Sequence, residues 1–297
     1  MRLVWSRKLT GLWAAAIPLL WSRQPADYNI GMKLEGPSTA SESATSVAST
    51  PLWDEETLAN PHRSSDKSDR VRAMFAAIAP VYDLNNHLHS MGIDHSWRRK
   101  AVAAAEVRPG DVVADIACGT GDLSFAFAKA GAKRVMGLDF CHPMLCGAIK
   151  KAARRRISSQ IGFSDGDATR LPLANSSVDV VSIAFGLRNV DRWTDAIREF
   201  YRVLRPGGRL IILEFTTPKS RIIGTLFNLY FHHVIPLTAS LISGDRTGAY
   251  YYLPRSVGTF PGSERIRSAM KDAGFSEIAY QSLTFGVCAC YRGVRDG

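Results

Sequence analysis

The hydrophobic pattern of the chain beyond residue 110 alternates between two periods. Short apolar runs are typical of buried strands, and the stretches between them carry apolar positions three or four residues apart, which is typical of helices. The predicted strands are Val112–Ile116, Arg134–Asp139, Ile161–Ser164, Val178–Phe185 and Arg209–Phe215. The predicted helices begin at Asp122 or cover Pro143–Arg156 and Trp193–Leu204. This alternation predicts an α/β fold with a doubly wound parallel sheet, in which ligands bind at the carboxyl ends of the strands.

The pattern changes after residue 260. A helix is predicted over Ser263–Ala273, where Gly274 ends it. Two further strands are predicted near Ile278–Leu283 and Val287–Arg292. Their closeness along the chain predicts an antiparallel hairpin at one edge of a seven-stranded sheet.

The first predicted strand leads into a turn of small residues. Gly119 and Gly121 allow the backbone to approach a ligand closely, and a helix N-terminus follows them. The dinucleotide fingerprint requires a third glycine at position 124, where this chain has Ser124. The acids Asp115 and Asp122 suit a cationic, zwitterionic ligand better than a pyrophosphate. The turn therefore favours S-adenosylmethionine as the cofactor.

Acidic or small residues stand at the ends of the next two strands. Asp139 ends the second strand 18 residues after Gly121, which suits hydrogen bonds to ribose hydroxyls. Asp167 and Ala168 follow the third strand, where an acid and a small residue can hold an adenine edge. Matching groups at three neighbouring strand ends predict one cofactor site.

Two other segments are predicted to serve the substrate side. Residues 70–105 read as helices interrupted near Pro80, and we interpret them as an N-terminal helical lid. Residues 216–260 break the strand–helix alternation with an apolar and aromatic insertion. This insertion either adds to the core or covers a long apolar substrate, and the sequence leaves both interpretations open.

Residues 1–69 are predicted to be a disordered or mis-started extension before a domain of residues 70–297. The apolar run Leu12–Leu20 is too short to span a bilayer, which takes roughly 20 residues. We interpret Met32 as an alternative initiator. Residues 38–50 contain eight Ser and Thr without periodicity, which predicts disorder. A chain that begins at Lys67 is therefore expected to fold.

The chain has a formal net charge of +10, and residues 70–297 carry the excess of basic residues. A basic domain suits nucleic acid or an anionic membrane surface. The densest basic run, residues 150–156, is predicted to be a solvated helix face.

The five cysteines show no metal-ligand spacing, so neither a metal site nor disulfides are expected.

Several stretches resemble the ubiquinone/menaquinone biosynthesis C-methyltransferases, over roughly residues 70–292. The most specific are Tyr82-Asp83, Trp97-Arg98 and the Gly-Leu-Arg-Asn-Val stretch at residues 186–190. The resemblance implies a class I S-adenosylmethionine-dependent methyltransferase fold, Rossmann-like. It also implies cofactor contacts at Thr120, Asp139, Asp167 and Ala168. The chain departs from the family at Ala184, where many members carry serine.

The resemblance further implies methyl transfer to a ring carbon of a prenylated quinol, with demethylmenaquinol favoured as the substrate. The precursor of ubiquinone, 2-polyprenyl-6-methoxy-1,4-benzoquinol, and O-methylation of a phenol stay open as alternatives. Arg188 and Asn189 are candidates to hold the quinol oxygen or a water that acts as base. Tyr82 and Asp83 are expected to close over the site, although a helix stop and cap would also explain them.

These inferences place the protein in the cytoplasm, peripheral at the inner face of the cytoplasmic membrane, with a homodimer left open. A nucleic-acid methylase is disfavoured, because amino-group methylases of that class carry a Pro-Pro-aromatic signature after the fourth strand. Here Phe185-Gly186-Leu187 stands at that point. A scaffold that binds the cofactor without catalysis is disfavoured by the acids at the strand ends.

Overall fold

The computed structural model describes residues 52–243 and 248–297. The strands in this part of the chain are β1 Val112–Ile116, β2 Arg134–Asp139, β3 Ile161–Asp165, β4 Val178–Ala184, β5 Leu204–Phe215, β6 Phe275–Leu283 and β7 Cys288–Arg295. The α-helices are α1 Glu55–Ala59, α2 Lys67–Ile78, α3 Tyr82–His89, α4 Ile93–Ala105, α5 Asp122–Lys129, α6 His142–Arg154, α7 Trp193–Val203, α8 Arg221–Leu229, α9 Ile235–Ser243, α10 Ala249–Thr259 and α11 Ser263–Asp272.

The strands form one sheet in the order β3-β2-β1-β4-β5-β7-β6. β4 is the central strand, and β1 beside it runs parallel both to β4 and to β2. β7 runs antiparallel to both β5 and β6. The predicted α/β sheet with an antiparallel hairpin edge is confirmed. Val113, Ala114 and Ile116 are at most 1% exposed, because helices cover both faces of the central strands.

β5 begins earlier than its apolar run predicts. Leu204 pairs with Val178 and Arg209 pairs with Val180, so the four residues between them bulge out of the ladder. Gly207 has a φ of +76°, a conformation that favours glycine. The predicted turn at residues 205–208 is therefore present, as a bulge inside a longer strand.

The folded part begins before residue 70, which corrects the expected domain boundary. The described residues 52–243 and 248–297 belong to one compact unit. Trp53 is 2% exposed and its ring lies 4.5 Å from that of Tyr252. Lys67 is 1% exposed. Residues 52–69 show no periodic pattern, because a few buried side chains anchor them through contacts distant in sequence. The expectations for residues 1–51 lie outside the described residues.

The insertion at residues 216–260 contributes α8, α9 and α10. A π-helical turn, Tyr230–Val234, joins α8 to α9. Phe231, Ile235, Tyr250 and Tyr252 of this insertion are buried in a cluster with Trp53, α2 and Tyr82. The interpretation as added core therefore holds for this inner face, whereas α8 buries no residue fully.

Candidate active site

A cavity of ≈ 300 Å³ opens at the carboxyl ends of β1, β2, β3 and β4. The predicted residues that line it are Tyr82, Gly119, Asp139, Asp167, Ala168 and Asn189. Phe75, Phe140, Met144 and Phe185 add apolar walls. A larger cavity of ≈ 410 Å³ lies between residues 215–219 and the start of α11, and none of the candidate residues lines it. The cavity at the strand ends is therefore the candidate active site.

The glycine turn after β1 depends on two positive φ angles. Gly119 has φ +55° and Gly121 has φ +86°. A Cβ at Gly121 would lie 2.9 Å from the ring of Phe163, so a side chain there would displace the packing behind the turn. Gly119 lines the cavity and Gly121 supports the turn from behind.

Asp139 joins this turn to the end of β2. Its Oδ2 accepts from the backbone N–H of Gly119 at 2.7 Å, and its Oδ1 accepts from that of Cys141 at 2.8 Å. Burial raises the pKa of Asp139, while these backbone donors act to lower it. A carboxylate offers about four lone-pair sites, so Asp139 can accept a further donor beside its backbone partners. A cavity-lining acid with both oxygens fixed is preorganised to receive a hydroxyl group.

Asp115 lies behind the turn rather than in the cavity. It is 1% exposed, and its two oxygens accept from the Ser124 and Ser182 hydroxyls at 2.6 and 2.7 Å. Burial raises the pKa of Asp115 to about 6. The sequence-based expectation of cofactor contact at Asp115 differs from this placement, because the inward direction of its side chain was not visible in the pattern.

The raised pKa of Asp115 predicts a pH dependence of stability. Between pH 3.8 and about 6 the folded state holds a proton that the unfolded state has released. The contribution of Asp115 to the free energy of unfolding is therefore fully present below pH 3.8, and it is lost as pH rises through about 6. An Asp115→Asn variant should gain stability relative to the wild type as pH rises from about 4 to about 7. Urea titrations at several pH values measure this difference, and parallel curves for the two proteins would contradict it.

Asp83 and Thr120 belong to a polar network that ties α3 to the turn. The Thr120 hydroxyl donates to Asp83 at 2.5 Å, and Lys151 bridges Asp83 at 2.8 Å to Asp122 at 2.7 Å. Burial alone would raise the pKa of Asp122, but Arg98 and Lys151 lower it overall. The basic run at residues 150–156 had predicted a solvated helix face. Lys151 instead belongs to this polar network. Neither Asp83 nor Thr120 lines the cavity; together they fix the position of Tyr82.

Arg188 does not point into the cavity either. Its Nη1 donates to Glu214 at 2.7 Å and to the carbonyl of Phe185 at 2.5 Å. Arg188 is 5% exposed and Glu214 is fully buried. A buried carboxylate at the end of β5 takes up the guanidinium, and the role of Arg188 toward a substrate oxygen stays a prediction. Arg188 also fixes the Phe185 carbonyl at the end of β4.

Asn189 and Tyr82 remain as polar groups on the substrate side of the cavity. The Tyr252 hydroxyl donates to Asn189 Oδ1 at 2.9 Å, which orients the amide. The Tyr82 ring packs edge-on to Phe75 with 5.9 Å between centroids and lies beside Gly119. Burial raises the pKa of Tyr82 and keeps its hydroxyl neutral. Asn189 can donate to an oxygen, and Tyr82 separates the turn from water.

The chain is similar to proteins of a known family. The ubiE/COQ5 methyltransferase family matches residues 63–295. The chain belongs to this family. The demethylmenaquinone methyltransferase of Deinococcus radiodurans is 44% identical over 229 residues, which are 77% of this chain and 93% of that protein. The demethylmenaquinone methyltransferase of Thermus thermophilus is 45% identical over 223 residues, which are 75% of this chain and 100% of that protein.

A solved structure shares the fold of this ubiE/COQ5 methyltransferase. It is described as an S-adenosylmethionine-dependent methyltransferase, possibly acting on histamine, from Thermotoga maritima. Its TM-score is 0.52 at 19% identity, and the match covers 75% of this chain and 99% of that one. The class I methyltransferase fold expected from the sequence is confirmed, and the chain is a methyltransferase.

Two buried charged residues, Lys67 and Glu214, hold the segment after β4 beside the cavity and were not predicted from the sequence. Lys67 donates to the carbonyls of Arg188 and Val190 at 2.9 and 3.2 Å, and burial lowers its pKa to about 8. Nothing in the sequence distinguished this lysine. Glu214 did carry a signal, because an acid at the end of an otherwise apolar strand needs a partner.

Proposed function

We propose that this protein transfers a methyl group from S-adenosylmethionine to a ring carbon of a prenylated quinol, and that demethylmenaquinol is the substrate. The observation that carries the proposal is the convergence of Gly119, Asp139, Asp167 and Asn189 on one cavity with apolar walls. The names of the relatives at 44% and 45% identity support the choice of quinol. The substrate is insoluble in water, which favours a cytoplasmic enzyme peripheral to the inner face of the membrane.

The residues of the cavity fit S-adenosylmethionine. The remaining acceptor capacity of Asp139 suits a ribose hydroxyl. Asp167, whose Oδ1 accepts from Thr169 N at 2.8 Å, and Ala168 line the neighbouring wall, where an amino group and a flat ring find an acceptor and space. Gly119 has no side chain, so its backbone is accessible to the amino acid end of S-adenosylmethionine. Asp139, Asp167, Ala168 and the Gly119 turn would hold the cofactor.

An Asp139→Ala variant should bind S-adenosylmethionine about tenfold to a hundredfold more weakly, because charged hydrogen bonds contribute about 1.5–3 kcal/mol. Loss of the acceptor for Gly119 N also loosens the turn. Calorimetric titration measures the affinity. Asp165→Ala is the matched control, because Asp165 is the register partner of Asp139 but is 62% exposed and outside the cavity. Equal affinity in both variants would remove Asp139 from the cofactor site.

For methyl transfer the protein mainly has to position the cofactor and the quinol. The cofactor supplies an electrophilic methyl group, so the chain has to align the quinol carbon, exclude water and favour loss of a phenolic proton. Asn189 can donate a hydrogen bond to the quinol oxygen, which stabilises the negative charge that develops there. Tyr82, Phe75 and Phe185 exclude water around that oxygen.

The decisive assay supplies purified protein with S-adenosylmethionine and a reduced, short-chain demethylmenaquinol, and identifies the product by mass spectrometry and NMR. Methylation at the ring carbon is expected. The ubiquinone precursor and a simple phenol serve as competing substrates. A methyl ether as the product, or a clear preference for the ubiquinone precursor, would overturn the proposed substrate. Quinone profiling of cells that lack the gene extends the test to the native chain length.

A further inference from the structure

Helices α8 and α9 expose a row of large aliphatic side chains. Ile222, Leu226 and Leu229 are 76%, 61% and 56% exposed, and they share one side of α8 at helical spacing. Val234 and Leu237, 40% and 63% exposed, continue the row past the π-helical turn. We call these five residues the α8–α9 face. Five large aliphatic side chains in one contiguous row exceed the scattered apolar exposure normal for a soluble surface.

Neighbouring elements enlarge the α8–α9 face. His89 of α3 contacts the Thr238 hydroxyl of α9 at 2.7 Å, and the Tyr230 hydroxyl donates to the His89 carbonyl at 2.9 Å. These bonds hold α3 beside α9, and α3 with the turn after it adds the exposed Leu88 and Met91. At the other end Gly286 lies against Pro218, next to the 79% exposed ring of Phe285.

The formal charges in the segment that carries the face are basic. Residues 215–244 contain no Asp or Glu, whereas Lys219 and Arg221 lie beside the start of α8. This bias suits the phosphate layer of an anionic bilayer. Exposed aliphatic residues beside basic groups are the pattern of a helix that lies in a membrane interface.

The packing of α8 and α9 argues against a helix that spans a bilayer. The stretch Arg221–Ala239 is long and apolar enough to cross a membrane by length and composition alone. Its inner side, however, is packed: Phe231, Ile235 and Ala239 are at most 6% exposed, inside the cluster that contains Trp53 and Tyr252. Insertion across a bilayer would have to empty that cluster, whereas docking leaves it intact.

An aromatic row connects the α8–α9 face with the candidate active site. Phe185 lines the cavity, and its ring lies 4.6 Å from that of Phe215. Phe215 lies 5.7 Å from Phe231, which stacks 4.1 Å from Phe227 of α8. Apolar groups thus extend without interruption from the methyl-transfer site to the helix that carries the exposed face.

We propose that the α8–α9 face docks this methyltransferase on an anionic lipid bilayer, so that a prenylated quinol reaches the cavity without leaving the lipid phase. The docking site itself is argued from exposure and charge; the delivery of a quinol rests on the function proposed above. A long prenyl chain can then remain in the bilayer while the quinol ring enters the cavity.

Vesicle co-sedimentation tests the docking site without any turnover. The full chain is mixed with vesicles of phosphatidylglycerol or of phosphatidylcholine. Binding to the phosphatidylglycerol vesicles is expected, with a fall when salt is raised. A Leu226→Asp/Leu229→Asp variant should bind roughly tenfold or more weakly. Ile149→Asp is the matched control, because Ile149 is a 49% exposed aliphatic residue on α6, outside the face, and it should bind as the wild type does.

Two further measurements distinguish a defect in the docking surface from a defect in folding or in catalysis. Thermal unfolding and S-adenosylmethionine binding of the double variant should match the wild type, so that weaker vesicle binding reports on the surface. Methylation of a short-chain quinol in solution should be unchanged, whereas methylation of a long-chain quinol in vesicles should fall with binding. Absence of any quinol methylation would refute the proposed function and leave the docking result standing. Equal vesicle binding by the double variant, or a dimer in sedimentation equilibrium that this variant dissociates, would overturn the docking site.

Discussion

Replacing Arg188 with alanine is expected to lower the free energy of unfolding by about 3–5 kcal/mol, because the change leaves a buried carboxylate without its partner. Glu214 has no exposed surface, and its Oε1 lies 2.7 Å from Arg188 Nη1. The Arg188 guanidinium also lies over the ring of Phe215, 5.4 Å from its centroid. Denaturant unfolding followed by circular dichroism measures the loss.

A double variant tests the cause of that loss. Arg188→Met with Glu214→Leu removes both charges and keeps apolar volume, so most of the stability should return. Arg198→Ala is the exposed control, because its pair with Asp195 is 64% and 38% exposed and should contribute about 1 kcal/mol or less. If Arg188→Ala lost turnover but kept full stability, Arg188 would act on the substrate, as the sequence had suggested.

A chain that begins at Lys67 should be strongly destabilised compared with one that begins at Ser49. The shorter chain lacks Trp53, whose ring is buried against Tyr252, and removal of a buried tryptophan side chain costs about 3–5 kcal/mol. Arg70 lies over the same ring at 5.9 Å from its centroid. Urea unfolding of the two chains measures the difference.

The Trp53→Ala variant of the full chain isolates the contribution of this side chain from that of the deleted backbone. It should account for most of the loss on truncation. The chain that begins at Ser49 should unfold as the full chain does, because it keeps the whole compact unit that contains Trp53. Normal stability from Lys67 onward would restore the boundary near residue 70.

The sheet and the cofactor end of the site could be predicted from the sequence because both follow from local patterns. Val112–Ile116 and Arg134–Asp139 have the predicted bounds, since apolar runs between polar breaks leave little freedom of placement. Asp139 and Asp167 were placed by topology: the ends of neighbouring parallel strands meet at one edge. Their roles in cofactor binding stay predictions.

Other features depend on partners distant in sequence. Asp115 and Arg188 stand in informative stretches, yet the direction of each side chain is set by Ser182 and Glu214, 67 and 26 residues away. Trp53 is an isolated aromatic residue in a polar segment, and a single residue has no periodicity to detect. The exposure of Leu226 could likewise not be predicted from the sequence, because a buried and an exposed apolar helix have the same hydrophobic pattern.

The buried ammonium group of Lys67 has a consequence for how a substrate enters. It attaches the first turn of α2 to the carbonyls after β4 at 1% exposure, where no water can replace the lost bonds. The other end of the helical segment is held by Asp83, which is 35% exposed and whose bonds water can replace at lower cost. We therefore expect any widening of the cavity to hinge at α2 and to open at α3. That opening adjoins α9, so with the proposed docking a quinol would enter from the side of the α8–α9 face.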